Sequence, residues 1–463
     1  MTSRRFPLAL LPLILLLSPG SASARTYTLS EAVGDALRQS DAVVVAEAKT
    51  DMERAKADEA LLMFFPRVGL TGGWAHLDSV PYVEQTVDFA EWLPADLTEN
   101  PLFGDMFADM EPVTLQLEFG RQDMFQFQLQ AEQILFAGTG LHRQRAMAMA
   151  QLRSAREEER TTEHEVVHQA EELFWKLALA RQARQVTEEA IETAGTHVEL
   201  LEAFVEVGLA SDADLMAARV QLASLRLNAL QARQGVDLAE AAFRMVVHVP
   251  DGESIELDVE GGHLPLGVDV EARALTELAR DSRPEMRVLG EQMTSVRHAA
   301  GASWASWLPA LALQGNVHLK NPDRANEPNF YWSADITVGM QWQLWDRGAA
   351  LSRNRQAKAG MRQIEAYRRQ LRDGIKLEID IALAAYREAD EQRVVAGEVV
   401  GLAEESLRLA KLNFGEGVAR NVDVLEAQTV LSKARLDSLS AETNYRIAVA
   451  GLRKATGLDV EGI

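Results

Sequence analysis

The 463-residue chain contains no cysteine, which excludes disulfides, thiolate nucleophiles, cysteine metal sites and lipidation of a leading cysteine. Proline is absent from Val113 to Val249 and again from Asn329 to Ile463, so only turns can interrupt helices over those spans. Beyond residue 24 there is no apolar run of about 18 residues; no transmembrane helix is expected, and a membrane role would need β-strands. Positive charge is short as well, with 47 Lys and Arg against 69 Asp and Glu. Residues 1–24 read as a secretory signal, with Arg4 and Arg5, the apolar run Leu8 to Leu17 and Ala22-Ser23-Ala24 before a cleavage at Arg25. Removing it leaves 45 basic and 69 acidic residues, a net charge of −24 against −22 for the whole chain. That balance argues against nucleic acid or an anionic membrane surface as the partner. Nucleophile elbows and phosphate loops are missing too, and no cofactor is implied. With 47% hydrophobic and 25% charged residues, the chain is nevertheless composed like a folded protein.

What is present is a duplication. The stretch Phe414-Gly415-Glu416-Gly417-Val418-Ala419-Arg420 interrupts a long helical run, and Phe204 to Ser211 does the same earlier. Gly208 aligns with Gly417 at an offset of 209, and the same offset carries Asp214 onto Asp423. The chain therefore divides into a signal (1–24), a first structural repeat (25–262) and a second (263–463), with Pro250 to Val270 as linker.

Each half follows one order. Thr28-Leu29-Ser30-Glu31 is a capping box opening a helical run to about Met63, ended by Pro66; the counterpart is Leu275 to Trp307, ended by Pro309. Beyond each proline the period changes to two. Leu311, Leu313, Gly315, Val317 and Leu319 go out, and Trp332, Ala334, Ile336, Val338, Met340, Trp342 and Leu344 return, alternating with polar residues. The return segment suits a barrel strand with a lipid face and a lumen face, which needs roughly 9–11 tilted residues. Five of the eight tryptophans sit in or beside this hairpin, as an interfacial girdle would. The first half repeats the pattern with Val68, Leu70, Gly72 and Trp74 out, and Phe125, Phe127, Leu129 and Ala131 back. Its hairpin carries an insertion: from Val68 to Gly120 there are ten acids and no Lys or Arg, which predicts an exposed loop.

After each hairpin comes Leu135-Phe136-Ala137-Gly138-Thr139-Gly140 or Leu344-Trp345-Asp346-Arg347-Gly348-Ala349, then helix. Leu141 to Val205 alone would extend roughly 100 Å. Beyond each bend the apolar residues recur every three and four positions, from Leu215 to Phe243 and again from Val424 to Leu452, which implies left-handed coiling. A second stripe of Val220, Leu227 and Leu230 marks another face for a neighbouring helix pair.

Four strands cannot close a membrane barrel, and open edges are intolerable in lipid, so several chains must share one; three would give 12 strands. The duplicated order of helix, proline-bounded hairpin, Leu-Phe/Trp followed by a glycine-containing turn, long helix, glycine turn with Asp six residues on, and heptad helix resembles the outer-membrane efflux proteins, the TolC-like family. The resemblance implies a fold that is mainly α with a transmembrane β-barrel: a homotrimeric 12-stranded barrel, four strands per chain, continued by a long α-helical barrel. It implies an outer-membrane exit duct spanning into the periplasm of a Gram-negative bacterium, in a tripartite efflux or type I secretion system. The partners implied are a periplasmic adaptor (membrane fusion protein) and an inner-membrane transporter. Trp332, Ala334, Ile336, Val338, Met340 and Trp342 would then face outer-membrane lipid. Adaptor-contacting tips would be Val207, Gly208, Leu209 and Ala210 with Gly417, Val418 and Ala419. Acids six and nine residues after the second glycine, Asp423 and Glu426, would ring the periplasmic entrance. Relatives shut that entrance with a Tyr three residues before the glycine and an Arg two after it; this chain has Phe414 and Ala419 there, with Arg420 one place later. The cargo, whether drug, metal ion or secreted polypeptide, is not specified by these residues.

Two other readings compete. A periplasmic coiled-coil scaffold or adaptor would share the helical hairpins but has no use for duplicated amphipathic strands. His164-Glu165-Val166-Val167-His168 matches the zinc-protease pattern H-E-x-x-H, yet Glu188 and Glu189 lie roughly 30 Å further along the same helix axis and cannot complete a site.

Overall fold

The computed structural model describes residues 25–80, 82–88, 91, 94, 111–118, 121–250, 252–259, 271–323 and 327–458. The signal, much of the acidic insertion and the Gly261-Gly262 part of the linker lie outside the described residues. In chain order the elements begin with β1 (Arg25–Tyr27), α1 (Leu29–Gln39), α2 (Asp41–Leu62), β2 (Arg67–His76), β3 (Tyr82–Val87) and β4 (Val113–Glu118). They continue with β5 (Asp123–Phe136), α3 (Gly140–Glu206), α4 (Asp212–Val247), β6 (Ile255–Leu257), α5 (Ala272–Ser282) and α6 (Pro284–Ala305). The last are β7 (Ala310–Asn321), β8 (Tyr331–Gln341), α7 (Ala349–Gly415) and α8 (Asn421–Thr456). No described helix is long and apolar enough to cross a membrane.

Both leading helical runs, expected as single helices, are split in two. Ser40 and Arg283 adopt extended backbone, ψ 120° and 125°. Pro284 accounts for the second break, because proline disfavours helical backbone in the residue before it. The capping box at Thr28 forms as its sequence predicts: Glu31 N donates to Thr28 Oγ1 (3.2 Å) and Thr28 N to Glu31 Oε2 (2.9 Å).

The chain forms two compact units, one of residues up to Met52, Leu152–Gln292 and the chain from Gln363, the other of Glu53–Gln151 and Met293–Arg362. The first unit holds two cores. Tyr27, Leu29, Val33, Val166, Ala170, Phe174, Phe243 and Val247 are buried together, and so are Leu275, Ala279, Ile375, Ile379, Leu383 and Leu452. Val166, Ala170, Phe174 and Phe243 fall on Ile375, Ile379, Leu383 and Leu452 at the 209 offset, so one core is built twice, with aromatics in the first copy and aliphatics in the second. Parallel pairing of β1 with β6 ties the start of the chain to the first copy. Further along, the heptad stripes close two apolar seams. Leu215, Ala218 and Leu222 of α4 pack on Ala194, Val198 and Leu201 of α3; Val424, Ala427 and Leu431 of α8 pack on Ala403 and Leu407 of α7. The Val220, Leu227 and Leu230 stripe stays exposed.

The second unit is built on a four-stranded antiparallel sheet in the order β2-β5-β7-β8. The two expected hairpins are thus joined edge to edge through β5 and β7, and β2 and β8 are left as open edges. The return strand ends at Gln341 rather than Leu344. Its ladder partner on β7 is Ala310, preceded by Pro309, which has no N–H to extend the pairing. Within the acidic insertion β3 and β4 pair as a separate two-stranded ribbon, so this segment is not wholly a loop.

Left-handed backbone recurs with the duplication: Gly138 and Arg347 (φ 58° and 60°), Gly208 and Gly417 (both 76°), and His248 and Gly457 (57° and 66°) are each 209 apart.

Candidate functional site

Three registers determine what the sheet can do. Between β2 and β5, Leu70 faces Leu129 and Trp74 faces Phe125. Between β5 and β7, Phe127 faces Leu319 and Leu129 faces Val317. Between β7 and β8, Leu319, Val317, Gly315, Leu313 and Leu311 face Trp332, Ala334, Ile336, Val338 and Met340. Because strand side chains alternate with period two, these registers gather the alternating apolar rows of four strands on one face, and a one-residue slip in any of these pairings would mix them. That face is bare: Trp332 is 74% and Ile336 80% exposed. The opposite face is polar and bonded to itself. Gln128 Nε2 donates to Asn316 Oδ1 (3.2 Å), Asn316 Nδ2 donates to Asp335 Oδ2 (2.8 Å), and His318 Nε2 lies 3.1 Å from Asp335 Oδ1.

Aromatics collect at both ends of the apolar face. At one end the rings of Trp304 and Trp307 meet edge to face at 4.9 Å, and Trp342 Nε1 donates to Trp307 O (3.1 Å). At the other, Phe125 lies 6.2 Å from Phe330, in the neighbourhood of Trp74 and Trp332. Trp332 and Trp342 are ten residues apart, about 33 Å along a strand and about 25 Å in height once tilted near 40°.

The two bends share one backbone. Leu209 N and Ala210 N both donate to Phe204 O (2.7 and 3.3 Å); 209 residues on, Val418 N and Ala419 N donate to Asn413 O (2.9 and 3.1 Å). Each bend needs the left-handed residue that glycine supplies without a Cβ penalty. Val207, Leu209 and Val418 are exposed on them. The caps that follow differ. Ser211 and Asp214 form a reciprocal capping box, with Asp214 N donating to Ser211 Oγ (3.2 Å) and Ser211 N to Asp214 Oδ2 (3.3 Å). At the second bend Arg420 replaces the serine, and Asp423 accepts from Arg420 N (2.8 Å) and from its Nη2 (3.2 Å). The Arg420 backbone N–H, and then its guanidinium, hold the Asp423 carboxyl below the usual carboxylate range. Arg420 and Asp423 are therefore brought together, and Glu426 stands exposed one turn further along α8.

Sequence reasoning missed a buried link beside these caps. His197 Nε2 lies 2.8 Å from Asn421 Oδ1, and Asn421 Nδ2 donates to Asp214 O (3.0 Å). The second bond fixes the amide orientation, so His197 Nε2 carries the proton and donates. The two side chains are 6% and 3% exposed. Phe414 packs edge-on to His197 (5.6 Å) and stacks on Phe204 (6.0 Å). A signal existed: at the 209 offset His197 falls on Ser406 and Asn421 on Asp212, so both depart from the repeat.

The zinc-protease alternative is overturned. Glu165, which would have to act as the base, is paired with Lys454 Nζ at 2.5 Å. Burial, and then the Lys454 charge, hold the His168 imidazole below its ordinary pKa. Glu188 and Glu189 are engaged by Arg184, Arg233 and Arg435. Among the described residues no group of three or more His, Asp or Glu side chains could hold a metal ion.

An amphipathic sheet with open edges, duplicated coils and paired bends defines a class of membrane channel. The model of the family "outer membrane efflux protein" matches residues 32–247 and 275–458, one block in each half, and the chain belongs to that family. It is an outer-membrane exit duct of Gram-negative efflux systems and not an enzyme. It is 23% identical over 333 residues to the outer membrane efflux protein BepC of Brucella suis, covering 71% of each chain. It is 27% identical over 186 residues to protein CyaE of Bordetella pertussis, covering 40% of this chain and 39% of that protein. The crystal structure of the Campylobacter jejuni CmeC outer membrane channel superposes with a TM-score of 0.71 at 15% identity, covering 93% of this chain and 85% of that one, a likeness of fold.

Proposed function

We propose that three copies of this chain close a 12-stranded barrel in the outer membrane and continue it as an α-helical barrel through the periplasm. The observation that carries this reading is the single apolar face shared by four strands whose two outer edges are open. Lipid covers such a face, and edge strands of neighbouring copies satisfy the backbone groups that hydrocarbon leaves unmet. Trp332, Ala334, Ile336, Val338, Met340 and Trp342 then face lipid between two aromatic girdles, and the Gln128, Asn316 and Asp335 face lines the lumen. The two structural repeats, 25–262 and 263–463, contribute one hairpin and one long helix pair each. The exposed Val220, Leu227 and Leu230 stripe supports packing against an adjacent helix pair of the assembly.

In this reading the bends are the periplasmic ends of the duct. The exposed apolar tips Val207, Leu209 and Val418, with Gly208, Ala210, Gly417 and Ala419, meet a periplasmic adaptor that joins the duct to an inner-membrane transporter. Asp423 and Glu426, repeated three times about an axis, form acidic rings that attract cations and resist anions. Arg420 orients Asp423. Phe414 stacks on Phe204 instead of offering a hydroxyl, so closure through a tyrosine at that position is not available here.

Reconstitution in planar bilayers tests both parts. The protein is expected to form channels, and Asp423→Asn with Glu426→Gln to raise conductance and weaken block by divalent cations. Channels indifferent to both substitutions would remove the gate, and a detergent-independent, water-soluble monomer would remove the duct.

A further inference from the structure

We infer that Arg347 is a phosphate ligand for an anionic phospholipid at the junction of β8 and α7, an inference that rests on the membrane reading above. At the 209 offset Arg347 stands where the first half has Gly138, and both are left-handed, φ 60° and 58°. Glycine takes that backbone freely, whereas an arginine is strained in it. The turn does not require the arginine. Asp346 builds it, accepting from Gly348 N (3.0 Å) on Oδ1 and from Ala350 N (2.7 Å) on Oδ2. Those bonds, with Arg353 Nη2 at 3.9 Å, occupy the neighbouring carboxylate, and the exposed Arg347 guanidinium has no ion pair or hydrogen bond among the described residues. A strained residue with no return inside the chain points outward, to a ligand.

The surroundings choose the ligand. Leu344 and Trp345, 77% and 78% exposed, immediately precede the arginine, and the Trp342 indole is fixed at the same end of the apolar face by Trp307 O. Between Asp335 and Glu365 the sequence has one acid, Asp346, and five cations, Arg347, Arg353, Arg355, Lys358 and Arg362. The acidic net charge of the chain does not oppose a local anion site, because screening confines exposed charges to about 8–10 Å. A cation next to exposed leucine and tryptophan at the rim of a lipid-facing sheet suits an amphiphile, with acyl chains along the face and a phosphodiester at its edge. Free phosphate would make no use of Leu344 or Trp345.

The full chain in nanodiscs of mixed phosphatidylglycerol and phosphatidylcholine, released into native mass spectrometry, is expected to retain phosphatidylglycerol preferentially. Arg347→Gly restores the first-half residue and relaxes the backbone; it should fold at least as stably and retain about fivefold less phosphatidylglycerol, the loss for one basic group near a charged surface. Inorganic phosphate should not displace the lipid. Equal retention of both lipids, an unchanged preference in Arg347→Gly, or displacement of the lipid by inorganic phosphate, which would make this a plain anion site, would each overturn the inference. Failure of the unaltered protein to enter nanodiscs would overturn the membrane reading and this inference with it.

Discussion

The bends at Gly208 and Gly417 have the same hydrogen bonds and the same φ, yet they depend on different things. The first is self-contained, capped by its own Ser211 and Asp214. In the second, Arg420 and Asn421 replace Ser211 and Asp212, and Asn421 is satisfied only by His197 and the Asp214 carbonyl of the first half. Duplication preserved the backbone, and divergence of two adjacent side chains made one bend's position conditional on the other.

The comparison of halves can be broken in several places. If both hairpins present lipid-facing strands, Leu129→Arg and Ile336→Arg should each cost about 2–4 kcal/mol per copy near the bilayer midplane. Both should abolish detergent-resistant assemblies on gels, while Thr337→Arg on the polar face leaves them intact; one tolerated arginine on the apolar face would end the equivalence. Next in size, Asn421→Ala leaves a buried His197 donor unpaired, at about 1–3 kcal/mol. Hydrogen exchange over residues 414–424 should accelerate accordingly, whereas the first-half counterpart Asp212→Ala should change exchange by less than about 0.5 kcal/mol. Equal responses would dissolve the asymmetry of the bends. Gly208→Ala and Gly417→Ala should each destabilise their bend by about 1–2 kcal/mol, and by like amounts, since both residues are left-handed with open space around them.

The smallest effect concerns His168, whose second-half counterpart is Leu377. Its folded pKa is lowered, chiefly by burial, so the unfolded chain takes up the proton first. Stability is then full above the ordinary histidine range and declines as pH falls through about 6.5 toward the folded value. Thermal unfolding between about pH 7.5 and 5.5 should show this slope, and His168→Leu should flatten it; an equal slope in the variant would assign the dependence elsewhere.

Much of the architecture was legible in the sequence because period and punctuation carried it. Alternation fixed the faces of β7 and β8, Pro66 and Pro309 marked where β2 and β7 begin, and the offset of 209 located both bends. Pairing between β5 and β7 was not legible, since alternation states which face a residue takes and not which strand lies beside it. The split at Ser40 has no proline to announce it. Asp423 and Arg420 could be found from their spacing to Gly417, but their mutual bond could not. His197 is a lone histidine in a long helix, and only its three-dimensional approach to Asn421 makes it part of the bend.

The bare sheet has a consequence for biogenesis. A newly exported copy presents a greasy surface and two raw backbone edges to water, the combination most prone to indiscriminate pairing. If neighbouring copies close the sheet as proposed, maturation should depend steeply on how many siblings are at hand, and a sparse supply should favour holding by chaperones or degradation over slow solitary folding.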